Sequence, residues 1–176
     1  MILLRAEPTT QDRKAADELA HWLGQMSGAE FAIQREQAGQ PAPARVISIG
    51  RTDLLSQARL PRAGAELGKD GYAVAVKDEA LFIIGGQRRG PMNGVFALLE
   101  EELGCRWYAR GTATIPHRPE LILKPVPRVS VPRFDRREVY GNSNHTLVGF
   151  TGRIRRNATG VSIQTCIDRL TPPQRR

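Results

Sequence analysis

Residues 71–103 read GYAVAVKDEALFIIGGQRRGPMNGVFALLEEEL. The hydrophobic period changes midway. Tyr72, Val74 and Val76 alternate along one face, Lys77-Asp78-Glu79 make a turn, and Leu81 to Ile84 return as an unbroken apolar run. That is the pattern of a hairpin whose second strand is buried on both faces. Past the glycines, Met92, Val95, Phe96, Leu99 and Leu103 recur at helical spacing, with Asn93, Glu100 and Glu101 off that face. Gly104 stops the helix, and Cys105 to Ala109 form a short aromatic strand. A buried hairpin feeding a core helix calls for a sheet with helices laid on it.

The upstream chain supplies the rest of such a layer. Residues 1–6 (MILLRA) read as a strand, and Thr9 or Thr10 caps the helix that follows. From Gln11 to Met26 the stripe is Ala15, Ala16, Leu19, Trp22, Leu23 and Met26, opposite Asp12, Arg13, Lys14, Asp17 and Glu18. Ser27-Gly28 ends it. Phe31 to Arg35 is a short strand, QAGQPAPA (37–44) a loop, Arg45 to Gly50 a β-branched strand, and Thr52 caps a short helix with Leu54, Leu55 and Ala58. The order strand, helix, strand, strand, helix, strand, strand, helix, strand is one mixed α/β (α+β) layered unit without internal repeats.

Downstream of about residue 112 the composition turns to linker, with Pro116, Pro119, Pro125, Pro127 and Pro132. Residues 133–140 (RFDRREVY) offer one more strand. From Gly141 to the end periodicity is lost, and the segment is expected to be a disordered tail. The domain scheme is therefore residues 1–124 as a folded unit, 125–140 as linker and strand, and 141–176 as tail.

The formal charge of +8 follows the same division. Residues 1–127 hold 16 Lys and Arg against 15 Asp and Glu, whereas residues 128–176 hold 10 against 3. The folded part is nearly neutral, so a specific nucleic-acid surface is not expected, and any polyanion binding belongs to the tail. The sequence contains no apolar run long enough to span a membrane. Met1-Ile2-Leu3-Leu4-Arg5 lacks the parts of a secretory signal, so the compartment stays open between secreted and cytoplasmic. Cys105 and Cys166 read as free thiols.

Candidate chemistry is sparse. Gly85, Gly86, Gly90 and Gly94 lie between strand and helix, where phosphates bind, and Arg88 and Arg89 could clamp an anion. Yet they match neither GxGxxG nor a P-loop, and a tight structural turn explains them as well. Glu100, Glu101 and Glu102 point about 100° apart on a helix, so they cannot converge on one bond. His21, His117 and His145 form no metal-ligand spacing, and no nucleophile elbow occurs. No catalytic residue, metal site or cofactor is assigned. Trp107 and Tyr108 offer aromatic faces for a sugar ring or an interface; alternatively one packs in the core and the other covers a sheet edge.

At this point the residues resemble a family. Arg89-Gly90, the run from Glu101 to Tyr108 and the later Ile115-Pro116, within RGPMNGVFALLEEELGCRWYARG and TATIPHRPEL, look like the N-terminal domain of α-glucuronidases of glycoside hydrolase family 67. The same domain occurs in related multidomain polysaccharide-degrading proteins. AADELAHWLGQMSGAEFAI resembles the family's first helix, with Ser27 where Thr is usual, and Pro132, Phe134, Arg137 and Glu138 match a later motif. The resemblance covers about residues 1–140. It implies a fold like the second domain of β-hexosaminidases, a mixed sheet with helices packed on it. It also implies that catalysis belongs to a β/α barrel which this chain lacks.

The expected function is thus a non-catalytic accessory domain of a carbohydrate-active enzyme of xylan or other polysaccharide breakdown, in a truncated or frame-shifted chain. Its partner is the absent barrel or a glycan. Arg89, Trp107 and Tyr108 are the carbohydrate- or interface-facing candidates. The alternatives are a free-standing carbohydrate-binding module, or polyanion and nucleic-acid binding through the tail.

Overall fold

In a computed structural model of the chain, the described residues are 1–37, 39–40, 43–60, 65–109, 112–122 and 127–133. The tail, 141–176, and all but Arg133 of the strand expected over 133–140 lie outside them.

Local chemistry sets the helices where the sequence puts them. Helix α1 spans Thr10–Ser27 behind a capping box: the Asp12 backbone N–H donates to Thr9 Oγ1 at 3.1 Å, and the Thr9 N–H donates back to Asp12 Oδ2 at 3.0 Å. Gly28 closes it at φ 74°, in the left-handed region that favours glycine. The short helix α2, Asp53–Ala58, is capped by Thr52. Its first N–H groups, on Asp53 and Leu54, donate to the two Glu36 carboxylate oxygens at 2.9 and 3.1 Å. Helix α3 covers Gly90–Ala97 and widens into a π turn over Leu98–Glu102, where the Leu103 N–H reaches Leu98 O.

Six strands form the main sheet: β1 (Ile2–Leu4), β2 (Ile33–Arg35), β3 (Ile47–Ile49), β4 (Tyr72–Lys77), β5 (Ala80–Gly85) and β8 (Arg128–Ser130), in the order β2-β1-β3-β5-β4-β8. β2, β1, β3 and β5 run parallel; β4 is antiparallel to β5, and β8 at the edge is antiparallel to β4. The hairpin turn between β4 and β5 is Asp78-Glu79, both at positive φ. Strands β6 (Arg106–Ala109) and β7 (Thr112–Thr114) make a separate ribbon.

Period-two alternation sends residues to two cores. Ile2, Leu4, Ile49, Val74, Leu81 and Ile83 meet α1 and α3 on one face. Leu3, Ala73, Phe82 and Ile84 meet Leu55 and Ala58 of α2 on the other. The architecture is helices, mixed sheet, helix, as the sequence order requires.

The chain past residue 112 departs from a linker. β7 closes the ribbon and β8 pairs with β4, in the register Tyr72 with Ser130 and Val74 with Arg128. Between them the Arg118 N–H donates to Met26 O at 2.7 Å, and Ile115 and Leu121 pack on the first core. Proline composition marked a segment without helix. It could not show that the segment is strapped to the domain.

The glycines resolve into close backbone contacts. A Cβ on Gly90 would stand 2.4 Å from Gly71 O and 2.6 Å from Gly85 C, and one on Gly86 would stand 2.3 Å from Gly68 O. Nothing lies within 4 Å of a Cβ on Gly28. Gly90→Ala is expected to cost about 3 kcal/mol or more, because backbone must move. Gly28→Ala should cost about 1 kcal/mol, for the left-handed backbone alone. Urea denaturation of both variants checks the ranking, and equal midpoints would show that the two turns do not need contact.

Candidate functional site

Three features of the sequence pointed toward function: the glycine-rich turn, the acidic end of α3 and the aromatic pair after it. The structure gives each a different role.

The glycine-rich turn is already occupied by protein. The N–H groups of Gly86 and Arg88 donate to Gly71 O and Lys69 O, both at 2.8 Å, and that of Gln87 donates to Gly68 O at 3.3 Å. Arg88 grips Asp70 with two parallel bonds, Nε to Oδ1 at 3.2 Å and Nη2 to Oδ2 at 2.8 Å. Asp70 is 6% exposed. Asn93 Nδ2 donates to Asp70 O at 2.8 Å. A phosphate cradle needs unspent amides. Here the amides bind the preceding turn, so the glycines serve packing.

The acids at the end of α3 hold the last strand. Arg128 of β8 is ion-paired with Glu101 and Glu102. Among the described residues no group of three or more His, Cys, Asp or Glu is placed to hold a metal ion, and no helix is long and apolar enough to cross a membrane. An apolar cleft of about 300 Å³ opens where Leu23, Phe31, Leu98, Leu103 and Leu121 meet the sheet. Among the described residues its charged lining is Arg45 and Glu79, themselves paired at 3.8 Å. It offers no acid–base or nucleophilic pair.

The aromatic neighbours divide. Trp107 is 7% exposed and Tyr108 is 65% exposed. The Trp107 ring stands edge-on to Trp22 and Phe96, at centroid distances of 5.3 and 5.2 Å. Trp107 therefore does not present its ring to a sugar or a neighbouring domain, because the core between α1 and α3 takes it. Among the described residues its buried Nε1 has no hydrogen-bond partner, whereas Trp22 Nε1 donates to Glu18 at 2.8 Å. Arg89 is half-buried at the other end of α3. The helix Gly90–Ala97 and the π turn Leu98–Glu102 lie between it and the strand that carries Tyr108. With Trp107 buried, the three candidates do not form one exposed surface. Arg106, which sequence reasoning passed over, is exposed beside Tyr108. Its position two residues away on a strand was the available signal.

Cys105 is a buried thiol that donates to the Met26 thioether at 3.6 Å. Burial pushes its pKa from 9.0 up to about 11, against the pull of Arg106 and Arg118. Cys166 lies outside the described residues.

Two outcomes follow from this burial pattern. Trp107→Ala should lose about 3–5 kcal/mol in urea denaturation, as a large core truncation does, while Tyr108→Ala stays within about 0.5 kcal/mol. The Cys105 thiol resists its charged form in the fold, so its contribution to stability is complete below pH 9.0 and declines as pH rises toward about 11. A Cys105→Ala variant should lack that decline when urea midpoints are compared across this range.

With the geometry in place, known proteins are informative. The family model described as the glycosyl hydrolase family 67 N-terminus matches residues 2–98. No curated protein matches the chain. Among solved structures, a family GH115 4-O-methyl-alpha-glucuronidase with specificity for decorated arabinogalactans matches with a TM-score of 0.60 at 16% identity, over 89% of this chain and 24% of that one. An N-acetyl-beta-hexosaminidase from Streptomyces plicatus matches with a TM-score of 0.53 at 14% identity, over 88% of this chain and 28% of that one. At such identities the likeness is one of fold, and the chain spans about a quarter of the length of these enzymes. The mixed sheet with helices packed on it, shared with a β-hexosaminidase, is the fold expected from the sequence. The family match covers more than half of the chain, and the chain belongs to the glycosyl hydrolase family 67 N-terminal family.

Proposed function

We propose that this glycosidase-related domain is a non-catalytic accessory unit of a multidomain glycoside hydrolase of polysaccharide breakdown. It supports or positions a catalytic domain supplied by further sequence. The observation that carries this reading is how the polar groups are used. Asp70, Arg88 and Asn93 lock the glycine turn, Glu101 and Glu102 hold Arg128, and Asp12 and Glu36 cap helices. Each of these groups is committed to holding the domain together, and a reaction centre needs acids, bases or nucleophiles facing a shared space. Family membership supplies the class of parent enzyme, while the parent's substrate depends on a site this domain does not contain.

A glycan contact on the domain itself is the second reading, favoured by the exposure of Tyr108. Arg89, half-buried at the start of α3, is kept as a candidate for the interface with a neighbouring domain.

The test pairs an assay with a sequence. The purified 176-residue chain should release no sugar from glucuronoxylan oligosaccharides or from nitrophenyl glycosides. The encoding DNA, read in all three frames past the codon for Tyr140, should open into a barrel-like sequence with paired acids. Turnover that co-purifies with the chain and disappears on a single carboxylate substitution would overturn the accessory reading.

A further inference from the structure

The β6–β7 ribbon carries side chains that its own packing does not use. Arg106 and Tyr108 are exposed on either side of buried Trp107, which ties the ribbon to the core. The pairing runs Arg106 with Thr114 and Trp107 with Ala113, then jumps to Ala109 with Thr112. Tyr108 is thus the extra residue of a bulge, with no partner across the ribbon. Arg106 and Tyr108 share the face opposite Trp107, as alternation along a strand requires.

Arg106 is fixed in a telling way. Its Nη1 donates to two backbone oxygens, Glu100 O and Cys105 O, the second at 2.7 Å. Among the described residues its Nε and Nη2 make no hydrogen bond. That is the edge whose two N–H groups point in parallel and match a carboxylate. The same molecule shows what the edge does when a carboxylate is supplied, because Arg88 holds Asp70 through Nε and Nη2. In Arg106 the anchor through Nη1 settles the rotamer and leaves the gripping edge open. The Thr114 side chain is exposed beside it, and Thr112 lies one step further along the same strand. A second cation is close, since a Cβ on Gly104 would lie 3.7 Å from Arg118 Nη2. Glu101 and Glu102, at the end of the adjoining π turn, are taken up by Arg128.

We propose that the outer face of this ribbon binds a carboxylate-bearing sugar, a uronic acid unit within a polysaccharide. Tyr108 stacks on the apolar face of the sugar ring, the Nε–Nη2 edge of Arg106 takes the carboxylate in two parallel bonds, and Thr114 meets a ring hydroxyl. An exposed tyrosine by itself would suit any pyranose. The fixed guanidinium edge makes the site one for an acidic sugar. The choice of a polysaccharide to carry the carboxylate rests on the accessory-domain reading above, whereas the carboxylate itself rests on Arg106.

The test is calorimetric titration of the full 176-residue chain with three probes: a xylo-oligosaccharide carrying a glucuronic acid branch, the same sugar with its carboxyl reduced to the alcohol, and inorganic polyphosphate. The acidic sugar should bind, and the reduced sugar should bind at least about tenfold more weakly. Tyr108→Ala and Arg106→Gln should each weaken the acidic sugar by about tenfold. Arg106→Gln also removes an anchor of the α3 end. Tyr108→Ala, at an exposed position, keeps the test decisive if that variant misfolds. Equal binding of acidic and reduced sugar overturns the proposal. So does binding untouched by Tyr108→Ala and matched by polyphosphate, which would trace to charge in the tail. Absence of any binding overturns it too. None of these three results bears on the accessory reading, which stands or falls on the hydrolysis assay and the downstream DNA.

Discussion

The contact on which the structure turns is backbone against backbone. The segment around Gly68–Gly71 and the segment around Gly85–Gly90 approach so closely that a methyl group on Gly86 would stand 2.3 Å from Gly68 O and one on Gly90 2.4 Å from Gly71 O. That approach brings the start of β4, the end of β5 and the start of α3 to one point. It thereby sets the place from which α3 crosses the sheet. Three amide-to-carbonyl bonds and the Arg88–Asp70 pair then close it. Each is ordinary by itself, but they occur together only because no side chain intervenes. A phosphate loop uses the same residue type for a different end, keeping its amides unspent for a ligand. Here they are spent on the neighbouring turn.

The far end of α3 is governed by a different constraint. The π turn carries Leu98, Leu99 and Leu103 into the core and leaves Glu101 and Glu102 to reach Arg128 on the outermost strand. The chain then runs directly into Trp107, which completes an aromatic group with Trp22 and Phe96. Burial of Trp107 is what allows Tyr108 to be presented. A two-stranded ribbon alone is marginal in water, and this one is held by a single large side chain driven into the core.

Several elements were legible from neighbouring residues alone. Thr9 and Thr52 cap their helices, Gly28 ends α1, and Tyr72, Val74 and Val76 share a face as their alternation requires. β7 and β8 were not legible. Each is three residues long, Thr-Ala-Thr and Arg-Val-Ser, and too short to show a period. β8 exists because β4 offers an unfilled edge 54 residues earlier at Val74, opposite Arg128. Proline content gave the wrong impression of residues 115–121 for the same reason. Ile115 and Leu121 are unremarkable in sequence, and their burial depends on α1 and α3 being beside them. The aromatic pair shows the limit most sharply. Trp107 and Tyr108 are adjacent and similar in kind, and which one faces inward follows from the register of the ribbon on the core.

By itself the sequence determined the element order, the helix caps, the inward stripes and the family, because these rest on spacings of one to four residues or on a pattern kept along the chain. Tertiary structure alone decided that the glycine turn is closed, that Trp107 is core and Tyr108 surface, and that Arg106 holds one edge open. Each of those depends on contacts between residues far apart in the chain, such as Trp22 with Trp107 or Gly71 with Gly86. Spacing rules speak only of what lies within a turn or two. The direction of a side chain on a ribbon is set by what the ribbon is packed against.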